Sequence, residues 1–195
     1  MSPVEYRDRE GGLSDRAREP EMTRVGAEAR LAAARAEGDA YAEARALTDL
    51  VIIAHRQRDL GSMVAYAERA WELAERNCFH DQLARLAVAF GDVAYLGQDY
   101  PRCYDHYANA CAYAGMAGSA ELRATVARVD EVLAELLATG RAAIATAFCE
   151  LLLAYEAEGG LGRADPAFAE HFRTRLRQAE EQVKAELARA AVRLN

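Results

Sequence analysis

Helix breaks recur along this chain at a fixed interval, and that recurrence constrains the fold more than any single motif. Asp59-Leu60-Gly61 and Gly97-Gln98-Asp99 place aspartates 40 residues apart, and Thr139-Gly140 begins 40 residues after the second of them. Gly38-Asp39 and Gly118-Ser119 stand two such intervals from each other. The breaks divide the chain into segments of about 17–20 residues. Each segment is long enough for one amphipathic helix, and one such helix alone leaves its apolar stripe in water. Two-helix hairpins recurring every 40 residues remove that problem by stacking side by side, which is the signature of an α-solenoid.

No stretch sustains the alternation of a strand, and β-branched residues are sparse beside Ala, Leu, Arg and Glu. The pattern predicts an all-α chain with helices over 21–37, 40–57, 60–77, 80–97, 100–116, 119–138, 140–158 and 166–193. Asp39, Asp59, Asp99, Ser119, Thr139 and Asp165 stand where a side-chain oxygen would accept from the first free N–H groups of a helix. Pro20, Pro101 and Pro166 sit at helix starts, where a missing N–H costs nothing. Residues 1–20 lack periodicity and are charge-rich around Gly11-Gly12, so a disordered leader is expected there. The repeat domain is placed at 21–160 and a C-terminal capping or interaction helix at 161–195.

Charge narrows the partners. The net charge is −7, the opposite of the basic footprint that nucleic-acid binding requires, so no nucleic acid is expected. Of the 24 basic residues only Lys184 is a lysine, a bias typical of a GC-rich genome. The longest apolar runs, such as Leu50–Ala54 and Leu151–Ala154, fall far below the ~20 residues of a membrane span, and the N-terminus has no apolar signal core. Four cysteines without such a signal are expected to be reduced thiols in a cytoplasmic protein.

Two units resemble tetratricopeptide repeats. The first, 44–77, carries Leu47, Leu50, Val51 and Ala54, then Arg58-Asp59-Leu60, then Met63, Ala67 and Ala70. The second, 84–117, carries Ala87, Phe90, Gly91 and Ala94, then Gln98-Asp99-Tyr100, then Cys103, Tyr107 and Ala110. Phe90-Gly91 and Asp99-Tyr100 match the family best. A third, looser unit spans 122–157 with Leu122, Val126, Val129, Leu133, Ala143 and Ala147. Leu47 and Ala87 stand where the family has an early Trp, and the closing Pro is missing. The resemblance covers about residues 21–158 and implies a solenoid of antiparallel hairpins whose first helices line a partner-binding groove.

The stretch 97-GQDYPRCYDHYANACAYAG-115 tests whether chemistry hides in that scaffold. Cys103 and His106 are three residues apart, within reach of one ion, but Cys111 lies two turns from Cys103, ~12 Å along a helix. Structural zinc needs paired short spacings that are absent here. Cys103, Tyr107, Ala110 and Ala114 instead recur on one helix face, as packing residues do. No phosphate loop, nucleophile elbow or Glu-x-x-His pair is present, so no catalytic residue, metal or cofactor is assigned and the chain is not expected to be an enzyme.

The resemblance implies that Arg45, Thr48, Asp49, Ile52, His55 and Arg56 face the groove from the first unit, and Arg85, Val88, Ala89, Asp92, Tyr95 and Leu96 from the second. Cations, carboxylates and apolar residues mixed in this way suit a peptide or helix of another protein. The alternative is that Ile52, Val88 and Leu96 are core and the charges ordinary surface. The segment 118–160 carries seven acids against three arginines, an acidic patch for a basic partner. In the last helix Phe168, Phe172, Leu176, Ala179, Val183 and Leu187 form one stripe. Its first half is expected to seal the array; its second half either lies on the same array or projects to pair with a partner or a second copy. Two functions follow: a protein–protein adaptor, regulator or assembly factor, or a ligand- or peptide-sensing domain acting on a separate transcriptional or enzymatic subunit, as related repeats do in bacterial regulators.

Overall fold

A computed structural model describes residues 23–157 and 166–194. They form eight α-helices: α1 Arg24–Glu37, α2 Ala40–Arg56, α3 Leu60–Arg76, α4 His80–Leu96, α5 Tyr100–Ala117, α6 Ser119–Ala138, α7 Ala142–Ala157 and α8 Pro166–Leu194. Among the described residues there is no strand, so the fold is all-α as the sequence predicts. None of these helices is long and apolar enough to cross a membrane. The leader at 1–20, the Gly159-Gly160 break and the Asp165 cap lie outside the described residues.

The turns explain the even spacing. Residues 38, 58, 78, 98 and 118 all have positive φ, at intervals of 20, and three of them are not glycine: Arg58 at 57°, Cys78 at 55° and Gln98 at 58°. A left-handed residue ends a helix by turning its chain back on the last carbonyls. The closing bonds repeat with it: the N–H groups of Asp39, Asp59, Phe79 and Asp99 donate to the carbonyls of Ala34, Ala54, Ala74 and Ala94, at 2.9–3.0 Å. The turn geometry therefore repeats with each of these helices. Asp39, Asp59 and Asp99 then cap the next helix, accepting from Ala42, Ser62 and Arg102.

Two expected caps are corrected. Ser119 is the first residue inside α6, and Gly118 holds the cap position with no side-chain bond. Thr139 closes α6 instead of opening α7; its hydroxyl donates back to the carbonyls of Glu135 and Leu136. The left-handed residue there is Gly140, two places late for the interval of 20, and α7 begins at Ala142 rather than 140.

Among the described residues every helix touches only helices one or two places along the chain. Successive even-numbered helices touch: α2 with α4, α4 with α6 and α6 with α8. Two apolar cores result. One joins α1, α2 and α3 to Leu86 and Ala89 of α4; the other joins Ala84, Ala94 and Tyr95 of α4 to α5, α6, α7 and α8. α4 alone among the described helices serves both. Cys103, Tyr107, Ala110 and Ala114 are all fully buried, the face the sequence pattern marks. Gly91 makes that packing close, since a Cβ there would stand 2.9 Å from the Tyr107 ring.

α8 lies on its own protein for most of its length. Phe172 and Ala179 are buried, Leu176 and Val183 half-buried, and the Gln182 side-chain amide donates to the Leu137 carbonyl at 2.9 Å. One turn later Leu187 is 66% exposed, so the apolar stripe leaves the array there. The side chain of Phe168 lies outside the described residues.

Candidate protein-interaction face

Even-numbered helices carry the twelve residues expected to line a groove. The structure sorts them by depth. Thr48, Asp49, Ala89 and Tyr95 are buried; Ile52, His55, Arg85, Val88 and Asp92 are half-buried; Arg45, Arg56 and Leu96 are exposed, Leu96 at 60%. Thr48 spends its hydroxyl on the Ala44 carbonyl, 2.9 Å away, as buried hydroxyls within helices do. Tyr95 is held inside by the second core, and burial, then the Glu135 carboxylate, push its hydroxyl up to about 12.

Asp49 is the first of three aspartates that join the helices across this face. Arg85 of α4 donates to its Oδ1 at 2.9 Å and Arg30 of α1 to its Oδ2 at 3.1 Å. Asp92 of α4 accepts from Arg128 of α6 at 2.9 and 3.0 Å, and from the Tyr107 hydroxyl. Asp130 of α6 accepts from both arms of Arg175 in α8, at 2.5 and 2.6 Å, with His171 Nε2 at 2.9 Å. Arg175, with its two N–H bonds, holds the Asp130 carboxyl below the usual carboxylate range. Such paired, hydrogen-bonded charges hold neighbouring helices together, and removing an aspartate takes the shared acceptor from its donors.

Arg85 and Asp49 are thus brought together, but as a joint between helices. Sequence reasoning placed both of them and Asp92 in the groove and missed the partners Arg30, Arg128, Tyr107, Asp130, Arg175 and His171. A signal existed: Asp49 to Arg85 and Asp92 to Arg128 are both steps of 36 residues. Groove residues outside these joints include Arg45, Ile52 and Arg56 on α2, and Val88 and Leu96 on α4. Among the described residues Arg45 and Arg56 form no ion pair. His55 stands beside Arg56; burial holds its imidazole below the ordinary value, which keeps it neutral at pH 7.

The polar residues of 97–115 separate. Cys103 and Cys111 lie in the second core, where burial pushes both thiols up to about 12, far from the reactive range. His106 leaves that core and stacks on Phe90 at 5.5 Å between ring centres. Among the described residues no three His, Cys, Asp or Glu side chains converge to hold a metal ion. Comparison of the chain with protein-family models, with curated proteins and with solved structures finds no match.

Proposed function

We propose that the chain is a tetratricopeptide-like α-solenoid that binds a peptide or helix of another protein and has no chemistry of its own. The observation that carries this reading is the division of labour on the even-numbered helices. Buried and half-buried Asp–Arg joints fix the helices, while Arg45, Arg56 and Leu96 stay accessible around them. A face held in this way loses little entropy on binding, so a modest contact area yields useful affinity. Arg45 and Arg56, about three turns apart on α2, suit a partner segment with acidic residues at matching separation.

The test is the double charge reversal Arg45→Glu/Arg56→Glu, compared with the unaltered protein in recovering partners from the native host. Both side chains are exposed, so the melting temperature is expected to stay put while partner affinity falls roughly a hundredfold. Unchanged affinity with an intact fold refutes the face.

The sensing alternative has one observation in its favour. A cavity of about 450 Å³ opens between α1 and α3, floored by Leu31 and Leu47 and edged by Tyr66, Arg35 and Arg69. It is within the size of small-molecule sites. Native mass spectrometry of the purified protein separates the two readings, because a stoichiometric small molecule favours the sensor.

A further inference from the structure

α3 stands apart from its odd-numbered neighbours. α5 and α7 touch, but no Cα of α3 comes within 8 Å of a Cα of α5. Only side chains cross the space between them. Trp71 of α3 meets Tyr113 of α5 edge-on, 5.9 Å between ring centres, and Phe90 of α4 at 6.3 Å. His106 closes the group from α5 by stacking on Phe90. All four rings are only half-buried, and they lie where the two cores meet on α4. The result is a trough with an aromatic floor.

The α3 wall of this trough has a definite chemistry. Leu60, Val64, Glu68, Trp71 and Glu75 recur at steps of four, four, three and four, which puts them on one stripe of the helix. Leu60 is 59% and Val64 51% exposed, large values for apolar side chains, and they continue the stripe about three and two turns before Trp71. Glu68 and Glu75 are exposed and, among the described residues, join no ion pair.

We infer that the trough docks a basic amphipathic helix of a partner protein. An apolar stripe covers Val64 and the rings, and flanking Lys or Arg side chains meet Glu68 and Glu75 or lie over the faces of Trp71 and Tyr113. The occupant is helical because helix walls offer no free backbone groups to pair with an extended strand, so the partner must satisfy its own. A second copy of this chain is a poor occupant, because its acids outnumber its bases 31 to 24 and its net charge is −7.

Trp71 is the only tryptophan, so its fluorescence reports directly on the trough. The probes are two synthetic amphipathic helical peptides sharing one Leu/Ala stripe, flanked by lysines in one and by glutamates in the other. The lysine peptide is expected to shift Trp71 emission to the blue in a saturable, salt-sensitive way, and the glutamate peptide to leave it unchanged. Glu68→Lys/Glu75→Lys weakens the lysine peptide roughly tenfold or more, and Val64→Asp abolishes its effect. Both variants alter exposed positions, and unchanged circular dichroism and melting temperature confirm that each is folded. An equal response to both peptides, a response that survives both variants, or no response to the lysine peptide up to millimolar concentration overturns the inference.

Discussion

Tyr107→Ala lowers the unfolding free energy by about 4 kcal/mol, the middle of the range for deleting a buried aromatic ring. The ring is fully buried, stacks on Phe148 at 5.7 Å between ring centres, and lies against Gly91. Gly91, which abuts the ring, has no side chain to move into the space, so the cavity is expected to persist. The hydroxyl adds a second loss, since it donates to Asp92 from a site where burial, then the Asp92 charge, raise its pKa. Tyr107→Phe separates the two contributions and is expected to cost about 2 kcal/mol, as for a bond to a charged acceptor. Urea denaturation followed by circular dichroism measures both. A loss below about 1.5 kcal/mol for the alanine variant would mean that the site collapses and that α4 and α5 are not held apart by this ring.

Asp92→Ala is expected to cost about 3 kcal/mol, because it strands two donors at once. Arg128 and the Tyr107 hydroxyl both lose their acceptor, and among the described residues Arg128 keeps only Glu131, which bonds it at 2.8 Å from a solvent-exposed position. The diagnostic step is Arg128→Met in the Asp92→Ala background. Removing the stranded cation is expected to recover more than half of the loss, so the double variant is more stable than Asp92→Ala alone. Strict additivity of the two single losses would show that the pair does not join α4 to α6.

The fold was legible where single residues set the backbone. Aspartates at 39, 59 and 99 cap helices in any context, and glycines at 38 and 118 take positive φ at no steric cost. Arg58, Cys78 and Gln98 do the same work as glycine without its signature, so the shorter interval of 20 stayed hidden behind the obvious one of 40. Its trace in the sequence is the row Ala34, Ala54, Ala74, Ala94 and Ala114, every member buried. Thr139 misled because a threonine hydroxyl can also bond back to the preceding carbonyls, as it does to Glu135 and Leu136, and Ser119 misled by one place, since Gly118 takes the cap position.

The candidate face was legible as a face and not as contacts. Helical spacing puts Arg45, Asp49, Ile52 and Arg56 on one stripe, but it cannot say which members touch the next helix. That depends on the crossing of α2 over α4, which buries Asp49 and leaves Arg45 and Arg56 in solvent. The half-buried aromatic group around Trp71 escaped for the same reason, since its rings come from α3, α4 and α5 and share no local pattern.

Hydrogen exchange with helix-level resolution tests most directly whether this is an array of helices that contact only near neighbours. α4 belongs to both cores, whereas α1 and α8 end the array, so protection is expected to be greatest in α4, slightly lower in α5, and to fall in steps toward α1 and α8. Equal protection across all eight helices, or end helices that exchange as slowly as α4, would contradict the account.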